Sequence, residues 1–368
     1  MIILDGVTDS SAPISIAHGS SDLQVVAVDA YNAELRDAEG FIGDRASNRA
    51  FRAILDEWRD RIRAATDEDP LGDTPSEELP KKKMDKLLVE GEPEAAGIIQ
   101  GAIEDFANEL TTVVTRFLKL KSWRDTERIV VGGGLRSSRV GELAIGRTSI
   151  LLKAAGHKLD LVPVRNHPDE AGLLGAIHLA PAWMLEGHDA ILAVDIGGSN
   201  LRAGLVELRP WKNAKKAGDV ARGTVDELEL WRYADEKSKP TREEAVDRIG
   251  AMLGRLIKHA DKNQVKLAPF IGVGCPGIIA EDGHIERGGQ NLPGNWESSR
   301  FNLPERLRAL IPKIDGHETV VVLHNDAVVH GLSDLAYVQD VDHWGVLTIG
   351  TGLGNARFTN RSTDRSRK

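Results

Sequence analysis

Two short glycine loops, each set between apolar runs of strand character, constrain this chain more than anything else in it. The first is Asp195-Ile196-Gly197-Gly198-Ser199-Asn200, entered from Ile191-Leu192-Ala193-Val194 and left through Leu201. The second is Gly350-Thr351-Gly352-Leu353-Gly354, entered from Val346-Leu347-Thr348-Ile349. β-Branched and aliphatic residues broken only by glycine and small polar residues predict a β-hairpin with a tight tip. At such a tip no Cβ stands between backbone and ligand, and the amides can donate to phosphate oxygens. One loop of this kind is equally a plain hairpin turn. Two suggest paired lobes closing on a polyphosphate. Neither runs from a strand straight into a long helix, which disfavours a dinucleotide-binding fold.

Strand-like and helix-like runs alternate along the rest of the chain, which implies α/β layers with functional groups at strand ends. Residues 23–29 read as a strand. Residues 48–65 read as a helix with Phe51, Ile54, Leu55, Trp58 and Ile62 at helical spacing. Residues 67–85, rich in Pro, Asp, Glu and Lys, show no apolar period and read as an exposed loop. Residues 93–120 are strongly helical, 128–131 form a strand into Gly132-Gly133-Gly134, and 159–164 form another. Pro168 opens a helix over 169–179, where proline suits the first turn. The chain crosses over at 181–188 into strands at 190–195 and 201–208. A polar loop is expected at 211–226, a helix at 242–261, strands at 269–273 and 319–323, and a last hairpin over 345–359.

With 368 residues, two domains can each bury a core. A formal net charge of −9 argues against nucleic acid or an anionic membrane as partner. The basic end, 361–368, reads as a solvated tail. The single cysteine, Cys275, leaves no intramolecular disulfide and no multi-cysteine zinc site. Between a strand and a Pro-Gly turn it reads as a small core residue. There is no basic-then-apolar start and no apolar run of about 18 residues. A cytoplasmic protein is the expectation, and nothing in the sequence decides for or against a homodimer.

Asp195, beside the first loop, suits magnesium directly or through water, because that ion prefers oxygen ligands and keeps several waters. Gly132-Gly133-Gly134 reads as a backbone platform for a flat base or ribose. Asn325-Asp326 ends a strand, where Asp326 can take the proton of an acceptor hydroxyl and Asn325 can hydrogen-bond that acceptor. The same pair is also a common helix cap. The loop 288–297 is dense in amides, so Asn291 suits a polyol ligand, while Trp296 fits either a sugar wall or a buried turn anchor.

The segments DIGGSN, GCPG, QNLPGNW, HND and GTGLG resemble the ROK family of sugar kinases and regulators. ERIVVGGG and DEAGLLGA resemble the C-terminal half of the same family. The resemblance implies a two-lobed, actin-like ATPase fold (ribonuclease H-like), with mixed sheets flanked by helices. It also implies ATP and magnesium in the cleft and a small-molecule sugar as acceptor. Asp326 would be the base, and Asn291, Asn325 and Gly277 would meet the sugar. Asp195, Gly197, Gly198, Ser199, Asn200, Gly350, Thr351, Gly352 and Gly354 would face phosphates, and Gly132, Gly133 and Gly134 the adenosine.

Three departures follow. The motifs are circularly permuted, so that residues 1–185 with 332–368 would form the nucleotide-binding lobe and 186–331 the sugar-binding, catalytic lobe. The family's cysteine-rich zinc motif is missing. The Gly-His-Glu-type sugar ligands expected after the second loop are not visible, and residues 40–48 are offered in their place. No helix-turn-helix pattern is present, which disfavours the DNA-binding branch. The expected activity is transfer of the γ-phosphate to a hexose hydroxyl. The alternatives are a non-catalytic sugar or nucleotide sensor and a kinase that uses polyphosphate.

Overall fold

The computed structural model describes residues 17–38, 40–208 and 222–361. The chain opens with β1 (Val26–Tyr31) and a small ribbon of β2 (Arg36–Asp37) and β3 (Gly40–Phe41). Helices α1 (Asn48–Thr66), α2 (Lys81–Glu90) and α3 (Pro93–Leu118) follow, then β4 (Arg128–Gly132), α4 (Arg139–Ala154) and β5 (Asp160–Pro163). Next come α5 (Pro168–Gly175), α6 (Ala182–Leu185), β6 (Ala190–Ile196), β7 (Leu201–Glu207) and β8 (Thr224–Trp231). Helix α7 (Arg242–Lys262) leads to β9 (Leu267–Cys275) and the ribbon β10 (Ile278–Ile279) with β11 (Ile285–Arg287). Helix α8 (Leu303–Leu310) precedes the ribbon β12 (Lys313–Ile314) with β13 (His317–Glu318). The chain ends in β14 (Val320–Asn325), α9 (Asp326–Leu332), β15 (His343–Ile349) and β16 (Leu353–Asn360).

Ten strands form two sheets, ordered β14-β9-β6-β7-β8 and β1-β16-β15-β4-β5. Their pairing patterns are the same. In the first, β6, β7 and β8 form an antiparallel meander, and β9 and β14 add in parallel. In the second, β15, β16 and β1 form the meander, and β4 and β5 add in parallel. The third meander strand of the second sheet is therefore supplied from the N-terminal side of the chain.

Side-chain alternation places three cores around these sheets. Ile191 and Ala193 of β6, Val130 of β4 and Val346 of β15 join α5 and α9 in a central core between the sheets. Leu192, Val194 and Ile196 point the other way, to α7 and α8. Ile129, Val131, Leu347 and Ile349 face α1, α3 and α4. The result is helix, sheet, helix, sheet, helix: the α/β fold of mixed sheets flanked by helices that the sequence led us to expect.

Helix starts obey local chemistry. Ser47 caps α1, Pro93 opens α3 and a Thr241–Glu244 capping box opens α7.

Several expectations change. The first strand begins at Val26 and not at 23, because the Leu23 amide instead bonds Val26 O in a turn. Residues 67–85 are not an open loop. Leu71, Leu79 and Ser76 are buried, the Arg59 guanidinium bonds Asp69, Ser76 Oγ and Gly72 O, and α2 begins at Lys81. Scattered leucines held by one buried arginine leave no period to read. The helix from Pro168 tightens to a 3-10 turn at Ala176–Leu179. Of the polar loop 211–226, residues 211–221 lie outside the described residues, and 224–226 already belong to β8, the alternating edge strand. The basic end from 362 onward also lies outside them. Among the described residues no helix is long and apolar enough to cross a membrane.

Candidate functional site

Both glycine loops are hairpin tips, as their sequences led us to expect. The β6–β7 register pairs Ile196 with Leu201, and the β15–β16 register pairs Ile349 with Leu353. The tips meet, with Ser199 Oγ 2.9 Å from Thr351 Oγ1. A Cβ added to Gly198 would stand 3.2 Å from the Asn291 Cβ and 3.8 Å from that of Thr351. Both loops and the amide-rich loop thus converge on one place. Tyr233 braces the first tip by donating its hydroxyl to Gly197 O.

The glycines divide by what surrounds them. Nothing lies within 4 Å of a Cβ placed on Gly352, and only backbone oxygens at 3.5 and 3.8 Å approach one on Gly197 or Gly350. These three leave room for a ligand. In the triple glycine, a Cβ on Gly132 would strike His330 Nε2 at 2.1 Å, and one on Gly133 (φ +82°) the Ile349 backbone at 2.5 Å. The fold itself demands both. Gly134 faces the flexible ends of two polar side chains, Lys81 Nζ at 3.3 Å and Asn48 Nδ2 at 3.4 Å. Gly354 is likewise taken up by packing, against Thr348 Oγ1 at 2.3 Å and the Ala327 Cβ at 3.1 Å.

Asp195 and Asp326 sit at the ends of parallel strands. Register aligns Asp195 with Gly274 of β9 and Gly274 with His324 of β14, so Asp326 begins α9 two strands away. Alternation turns Asp195 toward the central layer, where its Cγ would stand 2.5 Å from a Cβ on Gly172 of α5. Arg202, its cross-strand partner, donates to Asp195 Oδ2 at 3.0 Å and to Asp169 Oδ1 at 2.6 Å. Burial pushes the Asp195 carboxyl up, Arg202 opposes the shift, and Asp169 adds to it. Asp326 keeps part of its surface open and accepts the Ala327 amide at 2.9 Å. Burial first, then the negative charge of Asp195, pushes its carboxyl up to about 7. A carboxylate that titrates there can take up a proton and release it again near neutral pH.

Asn325 is the cap of α9. Its Oδ1 accepts the Ala327 and Val328 amides, and its Nδ2 donates to Gly277 O at 2.9 Å. It is buried, and one Nδ2 hydrogen is left for any acceptor. Gly277 has φ +109° in the β9–β10 turn, so its carbonyl is fixed where Asn325 finds it. Asn291 is exposed. Trp296 is buried and donates to Pro293 O at 2.6 Å, which makes it the anchor of its turn and not a sugar wall. Cys275 is buried, its thiol pushed well up by burial and by the two aspartates.

Sequence reasoning missed Arg202, Asp169 and Lys81. The alternation along β7 puts Arg202 opposite Asp195, a signal available once the hairpin is recognised. Residues 40–48, offered as replacement sugar ligands, reach the second glycine loop, where the Asn48 amide donates to Gly350 O at 2.9 Å. Among the described residues, no three His, Cys, Asp or Glu side chains cluster closely enough to hold a metal alone. A magnesium ion that keeps its waters fits Asp195 as an outer-sphere partner.

No family model matches the chain. Over 172 residues it is 28% identical to a glucokinase of Thermotoga maritima, a stretch covering 46% of this chain and 44% of that protein. The chain therefore spans less than half the length of that curated relative. Among solved structures it overlaps a ROK family glucokinase of Streptomyces griseus, solved with glucose and AMPPNP, at 21% identity and TM-score 0.34, covering 48% and 47% of the two chains. It also overlaps a ROK hexokinase of Thermus thermophilus at 20% identity and TM-score 0.29, covering 45% of each. The similarity to that glucokinase agrees in kind with the resemblance carried by the motifs.

Proposed function

We propose that the chain is an ATP-dependent sugar kinase, glucokinase-like, with a hexose as acceptor. The observation that carries this reading is the placement of Asp326, at the end of a strand two places from the one that feeds a glycine hairpin tip in contact with a second such tip, with burial pushing its carboxyl up to about 7. In this reading Asp326 takes the proton of a sugar hydroxyl while that oxygen attacks the terminal phosphorus of ATP. The bond from that phosphorus to the β–γ bridging oxygen breaks, and ADP leaves with the electron pair. Asn291 and the remaining Nδ2 hydrogen of Asn325 orient the sugar beside the Gly277 turn. The open backbone at Gly352 and the hydroxyls of Ser199 and Thr351 meet phosphate oxygens, while the Gly197 and Gly350 amides, which donate to Asn200 O and Gly352 O, hold the shape of the two tips. Asp195 would hold a nucleotide-bound magnesium through its waters, and that ion would neutralise charge at the phosphates.

The lobe assignment, 1–185 with 332–368 against 186–331, belongs to the same proposal, as does the permuted order. The matching pairing patterns of the two sheets support it, because β1 fills the place in the second sheet that β8 fills in the first.

A coupled assay for ADP release, with ATP and magnesium over a panel of hexoses and amino-hexoses, tests the reading beside the Asp326→Asn variant. Sugar-dependent release that the variant loses is expected. Sugar-dependent release that survives in the variant would remove Asp326 from the mechanism. Silence across the panel with ATP still bound would refute the kinase and leave a sensor, and release of sugar phosphate only from polyphosphate would replace the donor.

A further inference from the structure

Lys81 opens α2, in the acidic and basic stretch that the sequence offers as solvated surface. It is instead half-buried at the triple glycine, where its Nζ donates to Gly134 O at 2.5 Å and stands 3.4 Å from Ser137 Oγ. The helix carrying it is fixed. Met84 is buried, and Asp85 accepts the Arg139 and Val140 amides at 3.1 and 3.0 Å, which docks α2 on the start of α4. Arg52 of α1 lies beside Lys81, with its guanidinium donating to Ser76 O at 2.7 Å. Burial, then Arg52, holds the Lys81 ammonium below the ordinary lysine value, with Asp169 and Asp85 opposing. Arg52 is also lowered by burial.

Two cations share this recess, and among the described residues neither is hydrogen-bonded to a carboxylate. Placing like charges together in partly desolvated ground is unfavourable unless an anion joins them. At Gly134 the Lys81 Nζ and the Asn48 Nδ2 come together, 3.3 and 3.4 Å from where a Cβ would stand. Asn48 ties the recess to the second glycine tip, with its Nδ2 toward Gly134 and its amide on Gly350 O. An anion held here would lie on the side of that tip reached by Asn48.

We propose that Lys81, assisted by Arg52, is the residue that binds the non-transferred phosphates of the donor, an anionic subsite on the Gly134 side of the second glycine loop. The identity of the donor rests on the kinase reading, but the anion chemistry does not. A nucleoside triphosphate and an inorganic polyphosphate present the same groups to this recess. Lys81 donates from a fixed helix, so its loss weakens donor binding and leaves sugar binding alone.

Calorimetry on the full chain with ADP and with tripolyphosphate, for the parent, Lys81→Met, Lys81→Arg and Arg52→Met, tests this. Loss of a charge-assisted hydrogen bond should weaken binding of the phosphate compound about 10-fold or more in Lys81→Met. Arg52→Met should give a smaller loss and Lys81→Arg should restore most of the affinity, with Tm held as the check on folding. Equal losses for both probes identify the phosphate chain as what is read, and a loss for ADP alone identifies the nucleotide. Unchanged affinity in a folded Lys81→Met overturns the subsite, as does a loss that Lys81→Arg fails to restore. A parent that binds ADP but transfers nothing refutes the kinase and leaves the subsite standing. A parent that turns over while Lys81→Met keeps its donor KM does the reverse.

Discussion

Replacing Asp326 by Asn should make the protein more stable at pH 8 while nearly abolishing turnover. The carboxyl ordinarily titrates at 3.8 and is pushed up to about 7 in the folded chain. Between those values the folded state keeps a proton that the unfolded state has released. Raising the pH through this window therefore lowers stability, and the whole penalty is present above about pH 7. A displacement of roughly 3 pH units corresponds to about 4 kcal/mol as an upper bound. Asp326 is partly open to solvent, so about 2 kcal/mol is the working figure. Asn keeps the oxygen that accepts the Ala327 amide and carries no charge. Urea unfolding of parent and variant at pH 5 and pH 8 should give a stability gap that grows by about 1 kcal/mol in the variant's favour, because the part that builds up between 3.8 and 5 is already present at pH 5. In the same preparations kcat should drop by about 10²–10⁴. The parent's kcat/KM should fall about tenfold per pH unit below pH 7. A gap that does not change between the two pH values, with an acid limb that stays near 4, would refute the reasoning for a buried base coupled to Asp195.

Gly132→Ala should cost about 1–3 kcal/mol, because the new methyl meets His330 Nε2. Adding His330→Ala should make the double variant at least 1 kcal/mol less damaged than the two singles summed, measured by urea unfolding. Additive losses would mean that Gly132 is glycine for a ligand after all. Arg202→Met strands Asp195 without its cation and should cost about 3 kcal/mol at pH 8 and clearly less at pH 5, where Asp195 can take up a proton. An equal cost at both pH values would show that the ion pair is not what Arg202 contributes.

The parts of this fold legible in the sequence are those where one physical pattern dominates. Ile191-Leu192-Ala193-Val194 is apolar at every position because β6 is covered on both faces, and such a run identifies a central strand without further help. The hairpin tips were equally plain, since glycine beside β-branched residues has few other uses. Asn325 illustrates the limit. Its residue type suits a sugar contact and a helix cap alike, and only three dimensions reveal that its side chain is largely committed to α9 and Gly277. The triple glycine is similar: three identical letters hold two positions pressed against the fold and one against the ends of Lys81 and Asn48, and two of the neighbours that decide, His330 and Ile349, lie about 200 residues along the chain. Residues 67–85 hid their burial for a different reason. Arg59 satisfies three separate acceptors there, an arrangement with no periodicity to detect.

Chain order itself bears on the site. The N-terminal segment lies along the edge of β14 before it enters the other sheet: Gly19 N donates to Leu323 O at 2.9 Å, the Leu323 amide donates to His18 Nδ1 at 3.1 Å, and His324 Nε2 lies 3.0 Å from Ser20 O. β1 then pairs with β16, while the Tyr31 hydroxyl reaches back to Ile279 O at 3.3 Å and its ring meets His324 edge-on at 5.3 Å. One short stretch thus ties the strand that delivers Asp326 to the sheet that carries the second glycine loop. Tyr31→Phe removes only the hydroxyl and should cost about 1 kcal/mol. Tyr31→Ala also removes a half-buried ring and should cost about 2 kcal/mol. If the tie positions Asp326, kcat should fall in Tyr31→Ala well beyond its fall in Tyr31→Phe, at temperatures where both are folded, with donor KM unchanged. Equal kcat in the two folded variants would reduce the segment to a stabilising strand with no part in aligning the site.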